Sequence, residues 1–329
     1  MNYSILPKIE LHLHLDCSLS YKAVQQIDPT ITLEEYEHSF IAPPKCTDLV
    51  DYLSRAVKGF ELMQTKESLH LVTLDLLEQL KADNVIYAEI RFAPLLHIAK
   101  GLTAVEVVKT VNDAVTEGIQ QTGVEARLLL CTLRHYSEEE SMETVQLVEQ
   151  FKGTNVVGFD IAGDEAGFPV KNHVKAFAYA KEKNIHCTAH AGEAKGAESV
   201  KEVLQQFHPT RIGHGTRSAE DESLLAFLKK ENIHLEVCPT SNIQTNVFDS
   251  IEDHSANKIY NAGVSMSINT DSRTITPVTL NSEYTLLEKV FQWKKEHFLK
   301  CNLEAVEHSF CSAALKEKLK QTINNAYTD

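Results

Sequence analysis

Apolar and polar residues alternate along Ile9-Glu10-Leu11-His12-Leu13-His14-Leu15-Asp16. Period two is the signature of a strand, whose side chains point to opposite faces in turn. Leu11, Leu13 and Leu15 then share one face and His12 and His14 the other. Two imidazoles so placed can ligate one metal ion. An edge strand with its histidines in water has the same pattern, so the rest of the chain must decide. Over 18–83 the period becomes helical, broken at Pro43-Pro44. Asp48 is placed to cap a helix carrying Leu49, Tyr52, Leu53, Ala56, Val57 and Phe60 on its apolar side, and 67–80 predicts another helix. From residue 85 the two periods take turns. Strands are predicted over 85–92, 126–133, 156–162, 186–191, 211–214, 234–238 and 264–270. Helices are predicted over 105–119, 138–151, 172–184, 197–207, 220–231 and 253–262, and 280–326 is helical throughout.

With the first stretch this makes eight strands alternating with helices, which argues a parallel sheet. Eight strands favour a closed (β/α)₈ barrel of the TIM type, with a helical insertion after strand 1 and a helical C-terminal segment. An open doubly wound sheet is the alternative. There is no internal repeat, low-complexity stretch or Pro/Gly-rich linker, so 1–329 is expected to be one domain.

Composition narrows the function. The chain has 329 residues, 43% of them apolar, and a formal net charge of −14. That acidity disfavours nucleic acid and anionic membranes as partners, since both require a basic face. No stretch approaches a membrane-spanning length, and the N-terminus lacks the basic-then-apolar pattern of a signal peptide. Seven cysteines, scattered and without a C-x-x-C pair, predict free thiols and a cytoplasmic location.

In barrels of this kind the chemistry sits at the C-terminal ends of the strands. Strand 1 ends in His12, His14 and Asp16, strand 5 in His190-Ala191-Gly192-Glu193, strand 6 in Gly213-His214-Gly215 and strand 8 in Asn269-Thr270-Asp271-Ser272. His12, His14, His190 and Asp271 make a mixed nitrogen/oxygen set suited to zinc with room for water. Glu193 and His214 remain for proton transfer. Each residue has a plain alternative: a hydrogen-bonded core histidine for His190, a turn marker for His214, a loop cap for Asp271, a solvated helix start for Glu193. Four strand ends bearing such residues together favour a site. There is no Walker A loop, no H-E-x-x-H, and no third glycine after Gly213-His214-Gly215 at dinucleotide spacing. The H-x-E and P-C-x-x-C of the small zinc deaminases are also missing.

These segments resemble the adenosine deaminase family of the amidohydrolase superfamily. The likeness runs through His12-Leu13-His14-Leu15-Asp16, Glu89-Ile90-Arg91-Phe92-Ala93-Pro94, Ala162-Gly163-Asp164-Glu165, His190-Ala191-Gly192-Glu193, Arg211-Ile212-Gly213-His214-Gly215, Glu236-Val237-Cys238-Pro239-Thr240-Ser241-Asn242 and Asn269-Thr270-Asp271. It implies a zinc-bearing barrel that hydrolyses the 6-amino group of a purine nucleoside. His12, His14, His190 and Asp271 would bind one Zn²⁺, the absence of a lysine over 156–165 arguing against a second metal. Glu193 would protonate purine N1. His214 would orient the attacking water, help remove its proton and steady the developing charge. Gly163 would offer its N–H to N3, Asp16 would hold a ribose hydroxyl, and Leu49, Tyr52 and Leu53 would form part of an apolar lid.

Two positions depart from the family pattern. Cys17 stands where glycine is usual, and Ser272 where the animal enzymes have a second aspartate contacting N7. A hydroxyl can still donate to N7, but it brings no charge. Adenosine and 2′-deoxyadenosine are therefore the expected substrates, with adenine, a modified adenosine or aminodeoxyfutalosine as alternatives. A nucleoside-binding protein that had lost catalysis would be free to lose Glu193 or His214, and both are present. Nothing in the sequence sets the oligomeric state.

Overall fold

The structure, a computed structural model, describes residues 2–328. Eight parallel strands pair in strict chain order: β1 (Lys8–His14), β2 (Val85–Phe92), β3 (Glu125–Leu133), β4 (Val156–Ala162), β5 (His186–Ala191), β6 (Arg211–His214), β7 (His234–Val237) and β8 (Met266–Ile268). Helices fill the intervals, as the alternating periods predict. Strands covered by helices on one side and packed in a barrel on the other see little water, so runs such as Leu128-Leu129-Leu130 are wholly buried. Helix boundaries follow ordinary capping chemistry. Thr103 and Glu106 form a capping box at the start of Ala104–Thr122, and Gly123, at φ +77°, ends it. Ser137 and Glu140 do the same for Glu138–Gln150.

The barrel is nearly closed, and the residues that close it also carry chemistry. β8 is shorter than the predicted 264–270 because Asn269 turns its side chain across to β1. Its Oδ1 accepts the N–H groups of Leu11 (2.8 Å) and His12 (3.1 Å). Asp271 then pairs with β1 through its backbone. Its N–H donates to His12 O (3.0 Å), and its carbonyl accepts from His14 N (2.8 Å). β1 likewise ends at His14, not Asp16. Leu15–Cys17 is a 3-10 turn, with the Ser18 hydroxyl on His14 O at 2.6 Å.

The insertion after β1 is five helices: Tyr21–Ile27, Leu33–Phe40, Leu49–Leu53, Val57–Leu62 and Lys66–Ala82. Asp48 caps the third as predicted, accepting from Asp51 N. That helix stops at Leu53, where a 3-10 turn intervenes. The predicted helix 172–184 is a 3-10 turn, Val170–His173, followed by Val174–Glu182, and 253–262 similarly becomes Ile251–Asp253 and Ala256–Ala262. A short helix, Pro239–Gln244, was not expected after β7. The segment 280–326 divides into Leu280–Phe291, Lys295–His308 and Ala313–Thr328, the first break falling at Gln292 with φ +58°. Among the described residues no helix is long and apolar enough to cross a membrane.

One buried carboxyl outside the site has a measurable consequence. Glu283 is enclosed in Leu280–Phe291, with Thr240 N donating to Oε1 at 3.3 Å. Burial pushes its pKa up to about 8. Against an unfolded value of about 4.3, the folded chain binds this proton more tightly. The stability it contributes is fully present below about pH 4.3 and lost as pH rises through about 8. Glu283→Gln removes the charge but keeps an acceptor for Thr240. Its melting temperature relative to the parent protein should rise from pH 6 to about pH 8 and then level off in paired thermal melts, and a pH-independent difference would count against this account.

Candidate metal and active site

At the C-terminal end of the barrel, imidazoles from three strands and a carboxylate from the end of a fourth meet. Donor atoms of His12, His190, His214 and Asp271 all lie within 4.8 Å of one another. His14 Nε2 joins them at 3.1 Å from His190 Nε2 and 3.5 Å from Asp271 Oδ1. His12 Nε2 is 3.3 Å from the same Oδ1. All the residues expected to bind metal are thus brought together, with His214 beside them.

The hydrogen bonds behind the rings decide what faces the centre. His12 Nδ1 is 2.8 Å from Glu236 Oε2, and a carboxylate there requires Nδ1 to carry the proton. His190 Nδ1 is likewise 3.2 Å from Asp160 Oδ2. Both rings therefore present Nε2 to the centre. His12 Nε2, fully buried, has no hydrogen-bond partner. Burial pushes the His14 pKa down to about 3, so that ring is neutral. Nitrogen lone pairs facing one another and a carboxylate oxygen at 3.1–3.5 Å repel unless a cation lies between them. In a tetrahedral zinc site with bonds of about 2.0–2.1 Å, neighbouring donors stand roughly 3.3–3.4 Å apart. The residues present fit zinc, and the nitrogen-rich set prefers it to calcium or magnesium.

Close packing of the rings depends on Gly213, where a Cβ would stand 2.9 Å from His12 Cε1 and 3.2 Å from His190 Cγ. His214 and Asp271 both have left-handed backbones, φ +59° and +66°. Such conformations are uncommon for non-glycine residues and cluster at functional sites.

Beside the cluster lies a cavity of about 260 Å³, near the lower end of the roughly 300–1,000 Å³ usual for small-molecule sites. His14, Asp16, Leu49, Tyr52, Leu53, Gly163, His190, Glu193, His214, Asp271 and Ser272 line it, and His12 sits behind the wall. Leu49 and Tyr52 belong to a small apolar cluster with Ala42, Cys46, Ala56 and Ile275, with Leu53 packed against it. The Tyr52 hydroxyl is 2.7 Å from Thr276 Oγ1. These residues line the cavity and also form the core of the helix that carries them. Cys17 is partly exposed on the wall, its Sγ 3.8 Å from Asp16 Oδ1.

Glu193 is buried, with Oε2 3.6 Å from His214 Nε2. Burial, then the nearby Asp271 and Glu165 charges, raise its pKa well above the ordinary carboxylate range, which favours its protonated form. Asp16 remains ionised. Burial opposes this, but His97 and the Ala93 N–H (3.3 Å) hold its carboxylate.

Several working residues escaped sequence reasoning. Glu165 accepts the N–H groups of Gly192 (2.8 Å), Glu193 (3.0 Å) and Lys195 (2.9 Å) and the Ser199 hydroxyl (2.5 Å), fixing the loop that presents Glu193. Asp160 and Glu236 orient His190 and His12. Their signal was a charged residue inside an otherwise apolar strand. Asn242, 3.1 Å from His214 Nδ1, lay in a segment quoted for its likeness but given no role.

The family profile described as adenosine deaminase matches residues 7–326. A curated adenosine deaminase of Clostridium perfringens is 36% identical over 330 residues, spanning 98% of this chain and 99% of that protein. Among solved structures, an adenine deaminase from Arthrobacter aurescens superposes with a TM-score of 0.91 at 25% identity, covering 98% of this chain and all of that one. The Arabidopsis ADAL complexed with IMP does so with a TM-score of 0.88 at 25% identity, covering 100% and 99%.

Residues that hold a ligating histidine by its far nitrogen tune metal affinity by about 10–100-fold. Asp160→Asn should weaken zinc binding by that factor, read by chelator competition on the purified protein, and unchanged zinc retention would remove Asp160 from this role.

Proposed function

The chain belongs to the adenosine deaminase family, and on that footing we propose that His12, His14, His190 and Asp271 hold one zinc ion while Glu193 and His214 work on a 6-aminopurine nucleoside in the adjoining cavity. The reaction is hydrolytic deamination: adenosine and 2′-deoxyadenosine are converted to inosine and 2′-deoxyinosine, with release of ammonia. The observation that carries the assignment of roles is the set of inward-facing nitrogens and one carboxylate oxygen beside the buried Glu193 carboxyl.

Zinc bound there supplies Lewis acidity, lowering the pKa of water from 15.7 to about 7. The side chains do the rest. Glu193 donates its proton to purine N1, which withdraws electrons from C6 and opens it to attack. A C–O bond forms at C6 while water gives up its two protons, one to the Glu193 carboxylate and one to the amine; the C–N bond breaks and the amine leaves as ammonia. His214 faces the same point from the other side and holds the attacking oxygen. Asp16, ionised and on the cavity wall, accepts a ribose hydroxyl. Gly163 lines the base pocket with φ +94° and offers its N–H to N3. Ser272 accepts Thr276 N–H at 3.0 Å, and its hydroxyl, which also faces Tyr52, is the group offered to N7. Leu49, Tyr52 and Leu53 cover the bound base. The seven cysteines, all free thiols, suit the reducing cytoplasm, and the whole chain acts as one unit.

Metal-replete protein given adenosine should release ammonia and inosine in equal amounts. No turnover of any 6-aminopurine nucleoside would reject the reading. Glu193→Gln should keep its zinc and lose roughly 10²–10⁴-fold in kcat, because the donated proton is needed in the transition state. Full turnover by that variant would show that another group protonates the ring.

A further inference from the structure

His214 is held from behind by a short chain of hydrogen bonds that begins at the main chain. The Ala256 N–H can only donate, and it points at His254 Nδ1 across 3.0 Å. That nitrogen must therefore be unprotonated. His254 is buried, and burial brings its pKa down to about 3. A neutral ring with a bare Nδ1 carries its proton on Nε2. His254 Nε2 lies 3.2 Å from Asn242 Oδ1, so an N–H meets a carbonyl and the amide cannot be turned the other way. Asn242 Nδ2 then faces His214 Nδ1 at 3.1 Å as a donor. Hydrogen positions here follow from the network, anchored at a backbone donor whose role is fixed.

We propose that Ala256 N–H, His254 and Asn242 fix His214 in the tautomer with its proton on Nε2, so that His214 donates a hydrogen bond to the attacking oxygen and does not take a proton from it. Asn242 and His254 are positioning residues in this scheme. The inference rests on the reading that His214 faces the reacting carbon. Its Nδ1 is closed to a proton because Asn242 already presents one. Its Nε2, turned toward Glu193 Oε2 at 3.6 Å, has no lone pair to offer a metal or a water. Two consequences follow. The ion belongs to the other three imidazoles and Asp271, although His214 is near enough to join them. The two protons given up by water pass instead to the Glu193 carboxylate left after N1 is protonated, beside the same point, and to the amine that leaves as ammonia. The wrong tautomer of a site histidine is costly, because a donor and an acceptor exchange places at the reacting atoms.

The direct test is nitrogen NMR on metal-replete protein labelled at the histidine rings, with the His214 signals identified by their loss in His214→Gln. The expected result is an unprotonated Nδ1 and a protonated Nε2. A proton on Nδ1, alone or together with Nε2, overturns the proposal. These signals need no turnover, so the relay and the catalytic reading can fail separately. Kinetics provide a second arm. His254→Phe keeps a ring against Phe248, now 4.7 Å away, but loses the donor to Asn242. Its kcat should fall about tenfold or more, with KM and zinc content within roughly twofold. His254→Gln restores an N–H near the same place and should recover most of kcat. Equal losses in both variants, or no loss in His254→Phe, would mean that His254 only fills space.

Discussion

A line of alternating charges crosses the interior of the barrel, and the site is built on it. Glu89 pairs with Arg211, Arg211 with Glu236, Glu236 with Arg91 and Arg91 with Asp160, each contact 2.7 Å and every side chain fully enclosed. Barrel interiors are usually packed with branched apolar residues. Removing charges from water is expensive, and a buried ion pair seldom stabilises a fold more than well-packed apolar groups would. What the arrangement provides here is direction. Glu236 and Asp160 are held in place by arginines and in turn grip the outer nitrogens of His12 and His190. The metal-facing lone pairs are thus aimed by residues one layer below them. Breaking the line at any point would leave an uncompensated charge in a dry interior and release a histidine above it.

The same economy of placement governs the opposite wall. Glu165 gathers three backbone N–H groups and the Ser199 hydroxyl around one carboxylate, so that Glu193 projects from a loop with little freedom. Its negative charge also helps keep Glu193 protonated. His214 is fixed through Asn242 and His254, and Asp271 through Ser241, whose hydroxyl donates to Oδ2 at 2.7 Å. Each group proposed to touch the reacting atoms is held by a second group that does not. Preorganisation of this sort lowers a barrier because nothing must reorient as charge develops.

The barrel was legible because its signal is repetitive: period two at His12 and His14, then alternation of strands with helices from Val85 onward. The inner ring of the site was legible for a related reason, since imidazoles and carboxylates recur at the ends of four strands. Boundaries were less so. Nothing local to 264–270 reveals that Asn269 will spend its side chain on β1, and that contact, 258 residues away in sequence for Leu11, is what shortens β8. The supporting residues were hidden for the same reason. Asp160 and Glu236 appear as lone charges in apolar strands, and only the closed barrel shows which arginines neutralise them. Asn242 and His254 belong to different segments, and the order of their hydrogen bonds exists only in three dimensions. Cys17 and Ser272 could be named as departures from the family pattern, and the structure puts both on the cavity wall.

The barrel's last joint, where Asp271 bridges β8 to β1, uses the backbone of the very residues whose side chains converge on the ion site. His12 and His14 stand on one side of that seam and Asp271 on the other. Whatever occupies the space between them is therefore a clasp as well as a reagent. By linkage, its affinity for the closed form is also a force holding the cylinder shut. The same three residues proposed to hold the ion thus also join the last strand to the first.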